Sequence, residues 1–519
     1  MILLVHENAE RVIRILQNEE EIATVGKDLN SEIIRLAKKY PEELILWCEE
    51  AFENRLNLSA LGEIFHQDLI MCSFPIKNQY LPERLGYVDQ WPFVNPDYKV
   101  TYPTWRMSTD IGGVKGKTLL VFESVVRINN DLGYNLNSIA KLGQQNGLFC
   151  YSEPRLLLDQ HKEEKLNITA GFTELFRFVW QHYKWQWVFI LIFCLWRYES
   201  KLPLGSFIMC FFNARYFGKN FQLLTGEVIS GKNKDQENNS VDVVIPTLGR
   251  PEHLKQVLND LKAQSHLPKR VIVVEQNPDP DSSSELKDLQ ENYPFEIVHH
   301  FIHFAGACNA RNLALNEVTS AWVFFADDDI RIPPGLLKES LAELKRLGVD
   351  CLNINCKQPG QKTIFHKIKQ WGSFGAGTCL VNSRYAGNTR FSAVFENGYG
   401  EDVDYGMQLR KKGCDIIYHP GLEFTHLKAP VGGFRNKEKK PWEKGSVEPK
   451  PSPTLMAYAK KYYSREQLLG FKVELFLRYY LKQEIKNPLT YIKTMRRRWQ
   501  ESEKWSKHLE ENKRRPVNV

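Results

Sequence analysis

Three consecutive carboxylates, Asp327, Asp328 and Asp329, follow an apolar run in AWVFFADDDIRIPP. Adjacent carboxylates repel one another and resist loss of water unless a cation compensates them. Asp327 and Asp329 are one residue apart, so both can turn to one divalent ion. Hard oxygen donors suit Mg2+ or Mn2+, and such sites usually share the ion with substrate phosphates. The bland alternative is a solvated acidic turn capping a helix that begins near Pro333. The positioning element is AWVFF, whose short aromatic, apolar composition fits a buried strand. The acids then sit where a strand leaves the sheet, the usual place for ligands in an open α/β sheet.

The surrounding elements alternate. The polar stretch 231–240 reads as a linker. VDVVIPTLGR reads as strand and turn, and PEHLKQVLNDLKAQ as a helix with Pro251 at its start. KRVIVVEQN is a second buried strand, NARNLALNEV a helix, AWVFF a third strand and PGLLKESLAELKRL a helix. CLNINC, GTCLVNS, the helix DVDYGMQLRKKG and the strand DIIYHP follow. Repeated strand–helix alternation predicts a parallel sheet covered by helices. From Pro453 onward the pattern is helical and basic.

The chain has 519 residues, enough for two or three domains, and its 43% hydrophobic and 25% charged residues are ordinary for a globular protein. Its net charge of +7 is unevenly placed. From Val431 onward 22 Lys and Arg face 10 Glu and no Asp, so the tail carries +12 and the rest −5. A basic tail suggests an anionic partner such as a membrane surface or a phosphorylated lipid. Nucleic acid is not expected, because Lys and Arg interspersed with Glu on helices are more often a solvated face. The ten cysteines form no CxxC pair and suit reduced, buried thiols in a cytosolic protein. MILLVHENAERV lacks a basic, then apolar, leader pattern, so no signal peptide is expected. WQWVFILIFCLW, from Trp185 to Trp196, is too short to span a bilayer. It suits a buried core helix, or a helix lying in a bilayer interface.

Residues 1–165 read as a worn copy of the later strand–helix plan. ILLVHENAERVIRIL parallels the first strand and helix, and SEIIRLAKKYPEELILWCEE a helix, a strand and an acidic turn with Glu49 and Glu50 near the place of the aspartates. GYNLNSIAKLGQQNGLFCY from Gly133 runs beside GEDVDYGMQLRKKGCDIIY from Gly400, setting Asn135 against Asp402 and Asn137 against Asp404. The copy lacks room for a second strand–helix unit. An aromatic-rich helical connector, 166–230, follows it.

VDVVIPTLGRPEHLKQVL, VIVVEQN, GACNARNLAL, FFADDDI and GYGEDVDYGMQLRKKG, in that order, resemble an inverting family 2 glycosyltransferase with a GT-A fold. The resemblance implies an α/β, Rossmann-like nucleotide-diphospho-sugar transferase domain over 241–440. A degenerate GT-A-like α/β domain would precede it and a basic helical region, 441–519, would follow. It implies a nucleotide-diphosphate sugar donor and a Mn2+ or Mg2+ ion. Pro246, Thr247 and Arg250 would form the turn where the nucleotide lies. Glu275 would bond the base or ribose, its alternative being a turn-capping carboxylate. Arg311 starts a helix beside the small-residue loop AGACNA, where backbone could approach a pyrophosphate; a surface salt bridge is its alternative. Asp327 and Asp329 would hold the metal and Asp328 would contact ribose or sugar. His426 is a third candidate ligand, with a structural role as the alternative. Lys428, two glycines and Arg435 could close over the diphosphate, with an ordinary basic loop as the alternative. Asp402 would be the base that deprotonates the acceptor hydroxyl, with Glu401 orienting it or the acceptor; helix N-terminal charge stabilisation is the alternative for both. Trp371 and Gly372 would line the acceptor side, unless Trp371 is core packing.

The expected protein is a metal-dependent glycosyltransferase at the cytoplasmic face of a membrane, extending a bacterial surface polysaccharide or lipid-linked oligosaccharide. A glycan or lipid-linked acceptor and peripheral membrane contact follow from the basic tail and aromatic patches. A processive synthase is discounted, because MRRRW from Met495 has Met where QxxRW needs Gln. A non-catalytic nucleotide-sugar-binding scaffold is the other class.

Overall fold

The structure is a computed structural model describing residues 1–26, 28–126, 130–160, 162–163, 165–223, 238–286, 289–396, 398–428 and 440–512. The chain forms two compact units, Met1–Asn233 with Tyr463–Glu474, and Lys234–Tyr462 with Leu475–Val519. Sequence reading separates five segments; packing joins them differently. The aromatic connector is no separate body, since Phe176, Phe178, Leu191 and Leu195 share one buried core with Ile2, Trp47 and Ile139. Part of the basic C-terminal region also belongs to the first unit. There Gly470 lies so close to Tyr87 that a Cβ would stand 2.3 Å from the Tyr87 carbonyl oxygen. Most of the expected linker, through residue 237, lies outside the described residues.

The strands of the first unit are β1 (Ile2–Glu7), β2 (Arg11–Gln17), β3 (Glu20–Ile22), β4 (Leu44–Glu49), β5 (Ile70–Phe74), β6 (Asn78–Gln79), β7 (Tyr102–Pro103), β8 (Ile111–Lys115), β9 (Phe149–Ser152) and β10 (Asn167–Ile168). Eight form a sheet in the order β3-β2-β1-β4-β8-β5-β9-β7, while β6 and β10 pair apart. One expectation is corrected here. RVIRIL, read as a helix, is strand β2, antiparallel to β1. Asn8 and Ala9 adopt φ of 53° and 56°, reversing the chain into a hairpin. The spacing of Val12, Ile13, Ile15 and Leu16 also fits a helix face, so periodicity misleads.

The second unit contains β11 (Val241–Leu248), β12 (Arg270–Gln276), β13 (Glu296–Ile302), β14 (Trp322–Phe325), β15 (Ile330–Arg331), β16 (Cys351–Lys357), β17 (Lys369–Gln370), β18 (Cys379–Asn382) and β19 (Ile417–His426). The order is β13-β12-β11-β14-β18-β16-β19-β15, with β17 on β19. Pairing from β13 through β14 is parallel, β18 is antiparallel to both β14 and β16, and β16 is parallel to β19. The sheet is therefore mixed rather than parallel throughout. Val243, Val244 and Ile245 are fully buried, as suits a central strand covered on both faces. Helices Pro251–Lys262, Ala307–Asn316 and Leu336–Leu347 supply the crossovers. The last ends at Gly348, whose φ of 62° closes the helix in a left-handed cap.

Five strands follow one path in both sheets. The pathway β1-β4-β8-β5-β9 has the same order and polarity as β11-β14-β18-β16-β19. Cys72 pairs with Tyr151 as Asn353 pairs with Tyr418. Val114 bridges Met71 and Ile45 as Leu380 bridges Leu352 and Phe324. Ile45 faces Ile2 as Phe324 faces Val243. Counting along, Cys48, Glu49 and Glu50 fall at the places of Asp327, Asp328 and Asp329, and His6 at that of Thr247. The hairpin β2–β3 occupies the edge where the second unit has β12 and β13.

Candidate active site

The apolar strand β14 delivers the acidic run. Phe324 and Phe325 are fully buried, and chain order then carries Asp327–Asp329 beyond the strand end. Phe325 packs edge-on against Phe374, at 5.4 Å between ring centroids, and against Tyr405 at 5.7 Å. Tyr405 belongs to the helix Glu401–Arg410 and stacks on Phe391 at 4.2 Å. One aromatic cluster thus fixes the strand bearing the aspartates to the helix bearing Glu401 and Asp402. Phe325→Ala is expected to lower stability by about 3–5 kcal/mol, the usual range for truncating a buried aromatic. Chemical denaturation measures this.

Asp327, Asp329 and His426 each offer a ligand atom, and all three atoms lie within 4.8 Å of one another. Among the described residues no other group of three or more His, Cys, Asp or Glu side chains is brought so close. The antiparallel pairing of β15 with β19 accounts for it, setting Ile330 opposite His426 just after the aspartates. The Leu427 amide donates to the Asp329 carbonyl oxygen at 2.8 Å. His426 Nε2 lies 3.1 Å from Asp329 Oδ1, and this hydrogen bond raises the imidazole above its ordinary pKa. Two carboxylates and an imidazole are a fitting donor set for Mn2+ or Mg2+. Gly377 makes room for them, because a Cβ there would stand 2.1 Å from Asp327 Oδ2.

Asp328 is only 3% exposed. It accepts from Thr247 Oγ1 at 2.7 Å and Arg250 Nη1 at 2.6 Å, so it ties the end of β11 to the acidic run. Burial pushes its carboxyl up, against the lowering effect of both partners. Arg250 also stands 3.3 Å from Asp329 Oδ2, and Arg311 donates to Asp327 Oδ1 at 3.1 Å. Pro246 and Thr247 lie inside β11, which runs three residues further than expected, and Gly249 makes the turn with φ of 63°.

Glu401 and Asp402 open the helix that follows Gly400. Asp402 Oδ1 accepts from the Ala376 amide at 3.3 Å. Burial pushes Asp402 up to about 6, with Arg311 opposing and Asp327 adding. Burial, then the charge of Asp402, pushes Glu401 up to about 7. A carboxylate poised near neutrality is what proton abstraction requires. Asp404 faces elsewhere, fully buried and held by Lys461 at 2.6 Å, Tyr462 Oη at 2.8 Å and Gln408 at 2.7 Å.

Other expected residues are differently placed. Both Glu275 oxygens meet protein groups: the Glu285 amide at 3.0 Å on one, His299 at 2.9 Å and the Ser284 hydroxyl on the other. These are turn-capping contacts, and a nucleoside would have to exchange one of them. Two leading amides of the helix beside AGACNA are already engaged. Those of Cys308 and Asn309 donate to Glu396 at 3.0 and 2.8 Å, and the Gly306 amide to Gln276 Oε1 at 2.7 Å. The expected backbone cradle for a pyrophosphate is thus filled by a carboxylate. Glu396 and Gln276 were not anticipated; Glu396 is 88 residues from Cys308, and no local motif marks it. Trp371 packs against Tyr418 and Phe365, each at 5.0 Å between centroids, and Gly372 is buried beside it. Lys428 is exposed with φ of 55°. Arg435 and its glycines lie outside the described residues. An open hollow of about 630 Å3, lined by Lys362, Thr363, His366, Pro420 and Gly421, contains none of the expected residues.

Residues 242–395 match glycosyl transferase family 2, so this stretch of the chain is a glycosyltransferase domain of that family. The match includes Asp327–Asp329 and ends before Asp402 and His426. Solved structures similar to the chain include S. aureus TarS 1–349, at 18% identity over 36% of this chain and 60% of that one, with a TM-score of 0.31. TarS 1–349 in complex with UDP-GlcNAc is 17% identical over 52% of this chain and 83% of that one, with a TM-score of 0.36. GalNAc-T7 with UDP, GalNAc and Mn2+ is 10% identical over 37% and 44%, with a TM-score of 0.30. In the first of these comparisons the chain spans less than two thirds of its relative. No curated protein matches the chain.

Proposed function

We propose that the chain is a metal-dependent inverting glycosyltransferase, moving a sugar from a nucleotide-diphosphate donor to an acceptor hydroxyl. The observation that carries this is the meeting of Asp327, Asp329 and His426 within 4.8 Å, inside and just beyond a family 2 domain. These three residues would hold Mn2+ or Mg2+, which when bound supplies charge to offset that building on the leaving diphosphate. Arg311 and Arg250 orient the aspartates. Asp402 takes the proton of the acceptor hydroxyl as its oxygen attacks the anomeric carbon. The bond from that carbon to the diphosphate breaks on the opposite face, so an α-linked donor gives a β-linked product. Glu401, pushed up to about 7, is protonated often enough at neutral pH to donate a hydrogen bond to the acceptor. Lys428 and Arg435 are proposed to meet the diphosphate, and Trp371 and Gly372 the acceptor. A surface glycan or lipid-linked oligosaccharide, met by peripheral membrane contact, is the proposed acceptor class. A panel of donors incubated with Mn2+ tests the reading. Release of nucleoside diphosphate from one donor, abolished by chelator, supports it; no release from any donor with any acceptor contradicts it.

The first unit is proposed to be a duplicated domain that has lost this chemistry. Its Cys48, at the position of Asp327, is a buried thiol pushed up to about 12, which resists becoming a thiolate ligand. Glu49, at the position of Asp328, pairs with His6 at 3.1 Å, as Asp328 pairs with Thr247. Asn135, at the position of Asp402, is 1% exposed and donates to Asn30 Oδ1 at 3.0 Å, so no base stands there.

A further inference from the structure

The aromatic segment after residue 183 presents a two-faced surface. Helix Gln186–Glu199 buries Val188, Leu191, Cys194 and Leu195 completely in the core of the first unit. Its other face exposes Phe189, Phe193 and Trp196, with Trp185 just before the helix. Spacings of three and four residues put these side chains on one stripe. The next helix, Leu204–Met209, extends the patch. Phe207 and Phe211 contact Phe189 at 5.4 and 6.2 Å between centroids, and beyond them Ile208 is exposed and Phe212 is 85% exposed. A soluble surface rarely carries so large a contiguous apolar patch without a partner.

Charge selects the partner. Residues 184–219 contain five basic residues, Lys184, Arg197, Lys201, Arg215 and Lys219, against one acid, Glu199. That acid is already paired with Arg84 and Lys201. Trp185 precedes the helix and Trp196 lies in its last turn, as in side chains that sit at headgroup level. At 14 residues the helix measures about 21 Å, short of the ~30 Å hydrocarbon layer, and no helix among the described residues is long and apolar enough to cross a membrane.

We infer that the face formed by Trp185, Phe189, Phe193, Trp196, Ile208 and Phe212 lies in the interface of an anionic phospholipid bilayer without crossing it. Its aromatic side chains enter the headgroup–acyl boundary while the basic residues meet lipid phosphates. The inference rests on the first unit alone and is independent of the transfer chemistry.

Flotation of the full chain with vesicles tests it. Vesicles of phosphatidylcholine with phosphatidylglycerol should carry the chain; phosphatidylcholine alone should carry less, and added salt should release it. The triple substitution Phe193→Ser, Trp196→Ser and Phe212→Ser should lower affinity at least about tenfold, given the apolar area withdrawn from lipid. All three side chains are exposed, so the melting temperature and metal-dependent nucleotide affinity should be unchanged. Absence of vesicle binding, or equal binding by the variant, overturns the inference. So does a native chain that elutes as a dimer and a variant that elutes as a monomer, since the face would then join two copies.

Discussion

Asp402→Asn is expected to lower kcat about 10²–10⁴-fold, the usual worth of a positioned general base. Donor affinity should stay near that of the native chain, because the substitution keeps side-chain shape and leaves Asp327, Asp329 and His426 intact. The native rate should depend on pH in a defined direction. Burial sets Asp402 at about 6, so the carboxylate is ionised above that value and activity falls as pH drops through it. The variant should lose this acidic limb. A stability measurement separates loss of the base from damage to the fold. A carboxyl whose folded pKa is raised binds protons more tightly when folded, so it costs stability as pH rises from its unfolded value of about 4 through about 6. Asp402→Asn removes that cost, and the ligand-free variant should melt higher than the native chain at pH 8. A native rate in the variant, or an unshifted acidic limb, contradicts the assignment.

Asp329→Ala should abolish metal-dependent nucleotide binding. The expected loss exceeds the roughly 10–100-fold that follows removal of a residue merely supporting a metal ligand. Asp329 is 3% exposed and faces both His426 and Arg250, so its removal also takes a hydrogen-bond partner from His426, while Arg250 keeps Asp328. Asp329→Asn keeps the volume and should restore folding without restoring metal affinity. Protons should compete with the metal too. His426 is held above its ordinary pKa by Asp329, so metal affinity should weaken as falling pH protonates the imidazole.

Much of this site could be read locally. The acids follow a strand whose four residues, Trp322–Phe325, are all buried, and the helix carrying Asp402 begins where GYGEDVDYG places it. The parallel drawn from Gly133 and Gly400 ends on Tyr151 and Tyr418, which pair with Cys72 and Asn353 in their sheets, and it belongs with the duplication proposed above. What escaped depends on contacts between distant residues. Glu396 caps a helix that sequence offered to a pyrophosphate, and only the tertiary fold brings the two together. Strand β13 was not read because His299 and His300 interrupt its apolar pattern at a sheet edge. The hairpin of β1 and β2 was missed because its apolar spacing fits two periods, and left-handed φ at Asn8 and Ala9 decides between them. The aromatic segment divides its side chains between core and surface, a partition its uniformly apolar sequence does not show.

The most direct test of the central claim is calorimetric titration of the full chain and of Asp329→Ala with a panel of nucleoside diphosphates and nucleotide sugars, in Mn2+ and in chelator. The account predicts that one nucleotide binds the native chain only with metal, and binds the variant in neither condition. Nucleotide binding indifferent to both metal and Asp329, or no binding by a folded native chain, would contradict it.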